Sequence, residues 1–156
     1  MILQRLLGIE LPIIQAPMAG IQGSALAVAV SNAGGLGSLP SAMLSLDAVR
    51  QELAAIRAQT TKPYNVNFFC HAQPDPDARG ETIWRRALSP YYNEYGVDAD
   101  AIPTGPGRMP FNAAAADVLE EFRPPVVSFH FGLPVPELLD RVRRCGAKIL
   151  SSATTV

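Results

Sequence analysis

His130 lies within Val126-Val127-Ser128-Phe129-His130-Phe131-Gly132, a segment whose nearly continuous apolar character reads as a strand of a parallel sheet. An imidazole there can simply satisfy polar groups in a core. Near the C-terminal end of a parallel strand, where barrel active sites gather, it can also face a substrate, donating one hydrogen bond when neutral and two when protonated. Asn67 poses the same choice in Pro63-Tyr64-Asn65-Val66-Asn67-Phe68-Phe69, since its amide can cap backbone groups or bind the polar edge of a ligand. Upstream, Leu11-Pro12-Ile13-Ile14-Gln15 runs into Ala16-Pro17-Met18-Ala19-Gly20, a run of small residues on which a flat ligand can lie against backbone, with Met18 as its one large polarizable surface. An ordinary turn after a strand would account for the same composition. Ser152, at the end of the last strand-like segment, completes the set: Met18, Asn67, His130 and Ser152 are expected to converge from different strands onto one face. Cys70 and Cys145 form no CxxC pair and read as reduced thiols, and Cys70-His71 lacks the further ligands of a zinc site.

The elements that must hold these residues alternate along the chain. Leu11 to Gln15 predicts a first strand buried on both faces, and Ser24 caps a helix over Ala25 to Ala33 that Gly34 stops. Leu36 to Pro40 predicts the second strand. Gly34-Gly35-Leu36-Gly37 closes a helix and opens a strand, the reverse of a dinucleotide fingerprint. Ser45 caps a helix with a Leu46, Val49, Leu53, Ile56 stripe, and Pro63 to Phe69 is the third strand, with Asn65 and Asn67 on one face. A long connection over about 70–112 holds a helix from Glu81 to Leu88, a further short helix from Pro90 to the stop at Gly96, and two Gly/Pro-rich turns; it suits a lid over one end of the sheet. Asn112 caps a helix over Ala113 to Phe122, the fourth strand follows Pro124-Pro125, a helix opens near Pro136 and stops at Gly146, and Ala147 to Ser152 is the fifth strand. This alternation predicts an α/β fold with a parallel sheet and right-handed crossovers.

Composition narrows the function classes. Hydrophobic residues make up 48% of the 156 and charged residues 17%, which excludes general disorder and allows one substantial core. The 13 basic and 14 acidic residues nearly cancel without runs of one sign, so no footprint for nucleic acid or an anionic membrane is present. A small neutral or singly charged substrate fits this balance. With no long apolar stretch and no signal-peptide pattern, the expected location is cytoplasmic.

Five segments, in order and nearly end to end, resemble the nitronate monooxygenase family, formerly called 2-nitropropane dioxygenases. They are Pro12 to Gly20, Asn32 to Gly37, Pro63 to Phe69, Ser128 to Gly132 and Lys148 to Val156. The resemblance implies a parallel-stranded part of a (β/α)8 TIM barrel with about five strands, a single N-terminal portion over 1–156 of an FMN-binding domain. It also implies oxidation of alkyl nitronates of the propionate 3-nitronate type by molecular oxygen to a carbonyl compound and nitrite. Carried over residue by residue, Pro17, Met18 and Ala19 would lie against the isoalloxazine of FMN, Asn67 would hydrogen-bond it, Ser152 would sit near its polar side and His130 would face the substrate. A flavin-dependent enoyl reductase or NADH:quinone reductase shares the barrel and the first motif, and a non-catalytic truncated fragment is the third alternative. A complete barrel needs about 250 residues. The 156 residues hold neither the family's Gly-Gly-His segment nor its phosphate-binding loops, so weak FMN binding and self-association through an open sheet edge are expected.

Overall fold

A computed structural model describes residues 2–73, 75, 77–102 and 108–153. The chain divides into two compact units, residues 1–72 with 108–156, and residues 73–107.

The first unit is built on a four-stranded parallel sheet in the order β1-β2-β3-β4, formed by Gly37–Pro40 (β1), Tyr64–Phe69 (β2), Val126–His130 (β3) and Lys148–Ser151 (β4). Around it run helices Ile2–Leu7 (α1), Ser24–Asn32 (α2) and Leu46–Gln59 (α3), then, past the second unit, Ala113–Phe122 (α5) and Pro136–Arg144 (α6). The caps read from the sequence form where expected: the Ser45 side chain accepts from the Ala48 amide at 3.2 Å, and the Asn112 side chain from the Ala115 amide at 3.0 Å. Ser24 is different. It is the first helical residue of α2, Gly23 occupies the cap position, and the Ser24 amide donates to the Glu52 carboxylate.

Register decides what each face carries. Ser38 pairs with Asn65, Asn67 with Ser128, Phe69 with His130, and Phe129 with Ser151. Because side chains alternate along a strand, Leu39, Tyr64, Val66, Phe68, Val127 and Phe129 share one face, where they form the main core with α2, α3, α5 and α6. The opposite face carries Ser38, Asn65, Asn67, Phe69, Ser128 and His130. Its lower end is closed by a second cluster in which Leu7 and Ile9 bury against Leu36 and Val126, with Leu3 and Leu150 packed on them. The helix α1 that delivers Leu3 and Leu7 was not expected from sequence.

The expected first strand is corrected to a single bridge. Ile14 pairs with Leu36 in parallel, held by Leu36 N–H to Ile13 O and Gln15 N–H to Leu36 O, both 2.9 Å. Leu11, Ile13 and Ile14 were expected to be buried on both faces, yet they are 45%, 55% and 41% exposed. Pro12 removes a ladder donor at the start of the run, which limits pairing to its end.

In the second unit, the two short helices expected around Pro90 are one helix, Ala78–Tyr95 (α4), followed by a 3-10 turn at Ala99–Ala101. Asp77 caps α4 by accepting from the Gly80 amide at 2.9 Å, and Gly96 ends it at φ 64°. Pro90 lies inside the helix, where its ring removes one intrahelical donor without breaking the run. The Gly/Pro turn expected over 103–110 falls largely outside the described residues.

Helix α2 reaches the sheet at Gly37, where a Cβ would come within 1.9 Å of the Ala27 carbonyl oxygen. No side chain fits there. Gly146 offers the contrast: at φ +82° it ends α6 with nothing within 4 Å of its would-be Cβ. Gly37→Ala is therefore expected to destabilise the chain by about 3 kcal/mol through overpacking. Gly146→Ala should cost about 1 kcal/mol through backbone strain alone. Urea midpoints of the two variants check the order.

Candidate active site at the C-terminal strand ends

The polar face is graded from the bottom of the sheet to the top. Above the apolar plug, the Asn65 amide donates to Ser38 Oγ at 3.0 Å and to Ser128 Oγ at 2.9 Å. The Asn67 amide also donates to Ser128 Oγ at 2.9 Å, and to the Ser128 carbonyl at 3.3 Å. Both asparagines are buried. These bonds fulfil the structural reading of Asn67 without removing the other one, because its Nδ2 is the bonded atom and its Oδ1 accepts from no described residue.

At the next level up stand Phe69, His130 and Ser152. Ser152 Oγ lies 2.6 Å from His130 Nδ1, so the structure brings together two of the residues singled out in the sequence. Rings pack around the imidazole: Phe131 has its centroid 4.0 Å away and Phe69 5.9 Å, with Phe131 and Phe69 edge to face at 5.0 Å. His71 joins this group, 6.3 Å from Phe69, with its Nε2 3.0 Å from the Arg108 carbonyl oxygen. Immediately after His130 the backbone turns through Phe131 at φ 65° and Gly132 at φ 101°. A bulky residue in the left-handed region is strained, and such strain persists where the surroundings hold it for a purpose.

The small-residue loop joins the polar face lower down, at the level of Ser38 and Asn65, through two glutamines. Ser38 Oγ donates to the Gln15 carbonyl at 2.7 Å, and the Ser38 amide donates to Gln15 Oε1 at 3.1 Å. Gln22 Nε2 donates to the carbonyls of Ala16, at 3.2 Å, and Ser38, at 3.1 Å. Between these anchors, Pro17 and Ala19 are half-buried and Met18 is 44% exposed. Gly20 turns the loop at φ +81°. Gln15 and Gln22 thus tie the loop that carries Pro17, Met18 and Ala19 to the polar face at Ser38. Gln22 Oε1 and Asn65 Oδ1 are buried acceptors with no partner among the described residues.

Ser128, Gln15 and Gln22 were missed as members of the site. Ser128 was legible: it precedes His130 by two residues, so strand periodicity puts both on one face. Gln22 carried no such signal, because its role depends on how the loop folds back.

Cys70, next to this group, packs against the main core, and burial raises its thiol from 9.0 to about 11. The folded chain resists losing this proton, so the unfolded chain ionises first as pH rises. Stability contributed here is intact below about pH 9 and is lost as pH climbs towards 11. Cys70→Ala should therefore show a shallower alkaline loss of stability between those limits in denaturant midpoints. Ser128→Ala, which strips the shared acceptor from two buried amides, should cost about 1–3 kcal/mol by the same measurement.

Among the described residues, no helix is long and apolar enough to cross a membrane, and no group of three or more His, Cys, Asp or Glu is placed to hold a metal ion. A family model described as "Nitronate monooxygenase" matches residues 1–156. Curated relatives named nitronate monooxygenase include one from Paraburkholderia phytofirmans, 42% identical over 97% of this chain and 42% of its own length. Another, from Pseudomonas aeruginosa, is 40% identical over 97% of this chain and 43% of its own. A solved structure of nitroalkane oxidase from Streptomyces ansochromogenes superposes with a TM-score of 0.81 at 38% identity, covering 99% of this chain and 43% of that one. A structure of a FabK mutant from Thermotoga maritima follows at TM-score 0.68 and 25% identity, covering 98% of this chain and 39% of that one. The chain spans about two-fifths of the length of the curated relatives it matches.

Proposed function

The chain belongs to the nitronate monooxygenase family, and from that footing we propose that its polar face contributes to a site for FMN-dependent oxidation of alkyl nitronates by molecular oxygen. The substrate is of the propionate 3-nitronate type, and the products are a carbonyl compound and nitrite. The observation that carries this reading is the His130–Ser152 pair at 2.6 Å, standing above Asn67 at the C-terminal end of a parallel sheet.

The residues present fit a flavin. Ala16 to Gly20 exposes backbone and small side chains as a surface for a flat ring, and Met18 adds a polarizable contact. Gln22 Oε1, beside this loop, is an acceptor without a described partner, and a flavin ring edge offers an N–H donor. When bound, FMN supplies the electron acceptor between substrate and oxygen. Pro17, Met18 and Ala19 would support the ring face, and Asn67 would bond its polar edge. His130 would receive the nitronate: a ring N–H directed at the substrate oxygen steadies its negative charge, and Phe69 and Phe131, packed beside the imidazole, help fix the direction of that donor.

In FMN-loaded protein, His130→Ala is expected to lower nitronate-dependent oxygen uptake by about 100-fold with flavin content unchanged. Asn67→Ala is expected to lower the flavin retained after gel filtration. An oxygen electrode and the flavin absorbance give both readings, and full uptake in the His130 variant contradicts the assignment.

A further inference from the structure

Among the described residues, His130 Nδ1 has a hydrogen-bond partner and Nε2 has none. Ser152 Oγ sits 2.6 Å from Nδ1, and Ser152 is itself tied to β3 by its amide, which donates to the Phe129 carbonyl at 3.4 Å. Phe131 covers the ring 4.0 Å away. His130 is exposed, and its Nε2 meets no described partner, so that edge faces outward. A hydroxyl and a neutral imidazole can share one hydrogen bond in two ways. Either the hydroxyl donates to a bare Nδ1, or a protonated Nδ1 donates to the hydroxyl oxygen. The bare ring nitrogen is a far stronger base than the hydroxyl oxygen, so O–H to Nδ1 is the favoured direction. The ring proton then belongs on Nε2.

We infer that Ser152 is a positioning residue that holds neutral His130 as its Nε2–H tautomer, so that the outward edge of the ring offers a donor and no lone pair. This rests on the proposed nitronate reading and adds to it how the orientation of the His130 donor is set. A donor can bind an oxygen anion but cannot take a proton from carbon. His130 in this form favours an oxygen anion and is no base for a neutral nitroalkane, which must first lose a C–H proton.

The test uses the FMN-loaded full chain with ring-15N histidine, at alkaline pH where imidazole is neutral. The chain has two histidines, and His71→Gln assigns the signals. The expected spectrum of His130 has an unprotonated Nδ1 and a protonated Nε2. Ser152→Ala should shift both nitrogens towards tautomer-averaged positions, and Ser152→Thr, which keeps the hydroxyl, should restore them. A protonated Nδ1 in the unaltered protein, or a Ser152→Ala spectrum identical to it, overturns the inference and leaves the nitronate reading to the oxygen-uptake assay. A second arm adds ethyl nitronate or freshly dissolved neutral nitroethane without oxygen. Only the nitronate should shift Nε2; an equal shift from nitroethane overturns the substrate distinction. A locked tautomer that ethyl nitronate leaves unmoved, together with full uptake by His130→Ala, overturns the inference and the functional reading at once.

Discussion

One hydroxyl holds the register on which the site depends. Ser128 Oγ accepts amide N–H groups from both Asn65 and Asn67, linking β2 to β3 at two consecutive positions on the same face. A slip of one residue between these strands would separate those partners and turn His130 towards the helices, where Val127 and Phe129 now pack. The apolar core on the other face resists the same slip. Burial and hydrogen bonding therefore specify one register together, and the chemistry at the strand tips inherits its position from it.

The polar face is unusual in how it changes along its length. At the bottom, Leu7, Ile9, Leu36 and Val126 are buried and dry, each side chain contributing about 2 kcal/mol. In the middle, the buried asparagines bond the serines beside them, and Asn65 Oδ1 is left without a partner among the described residues. At the top, an exposed imidazole stands among aromatic rings. Such a gradient lets the lower sheet supply rigidity beneath an exposed upper end.

Much of this was legible because local rules and tertiary packing agree. Ser45 and Asn112 cap the helices they precede, Gly96 and Gly146 end theirs in left-handed conformations, and the alternation of Asn65 and Asn67 with Val66 and Phe68 announces a two-faced strand. Reading failed where those levels separate. Leu11 to Gln15 has strand composition but only one pairing neighbour, so its composition overstated its order. Pro90 looks like a helix start, yet one lost donor on an exposed helix is tolerated. At the site, His130 and Ser152 were legible as strand-tip residues, but their mutual hydrogen bond was not, because it depends on the registry of two strands separated by α6. Family resemblance supplied the expected ligand, which no spacing in the chain specifies.

We propose that the strand tips and the small-residue loop surround one flat ligand. Titrating FMN into 15N-labelled chain and mapping the backbone amide shifts addresses it most directly. The account predicts that Met18, Ala19, Asn67 and Ser152 move together with one saturation curve, while Gly34 and Lys62, at the opposite end of the sheet, stay still. Shifts confined to that opposite end, or separate curves for the loop and the strand tips, would contradict it.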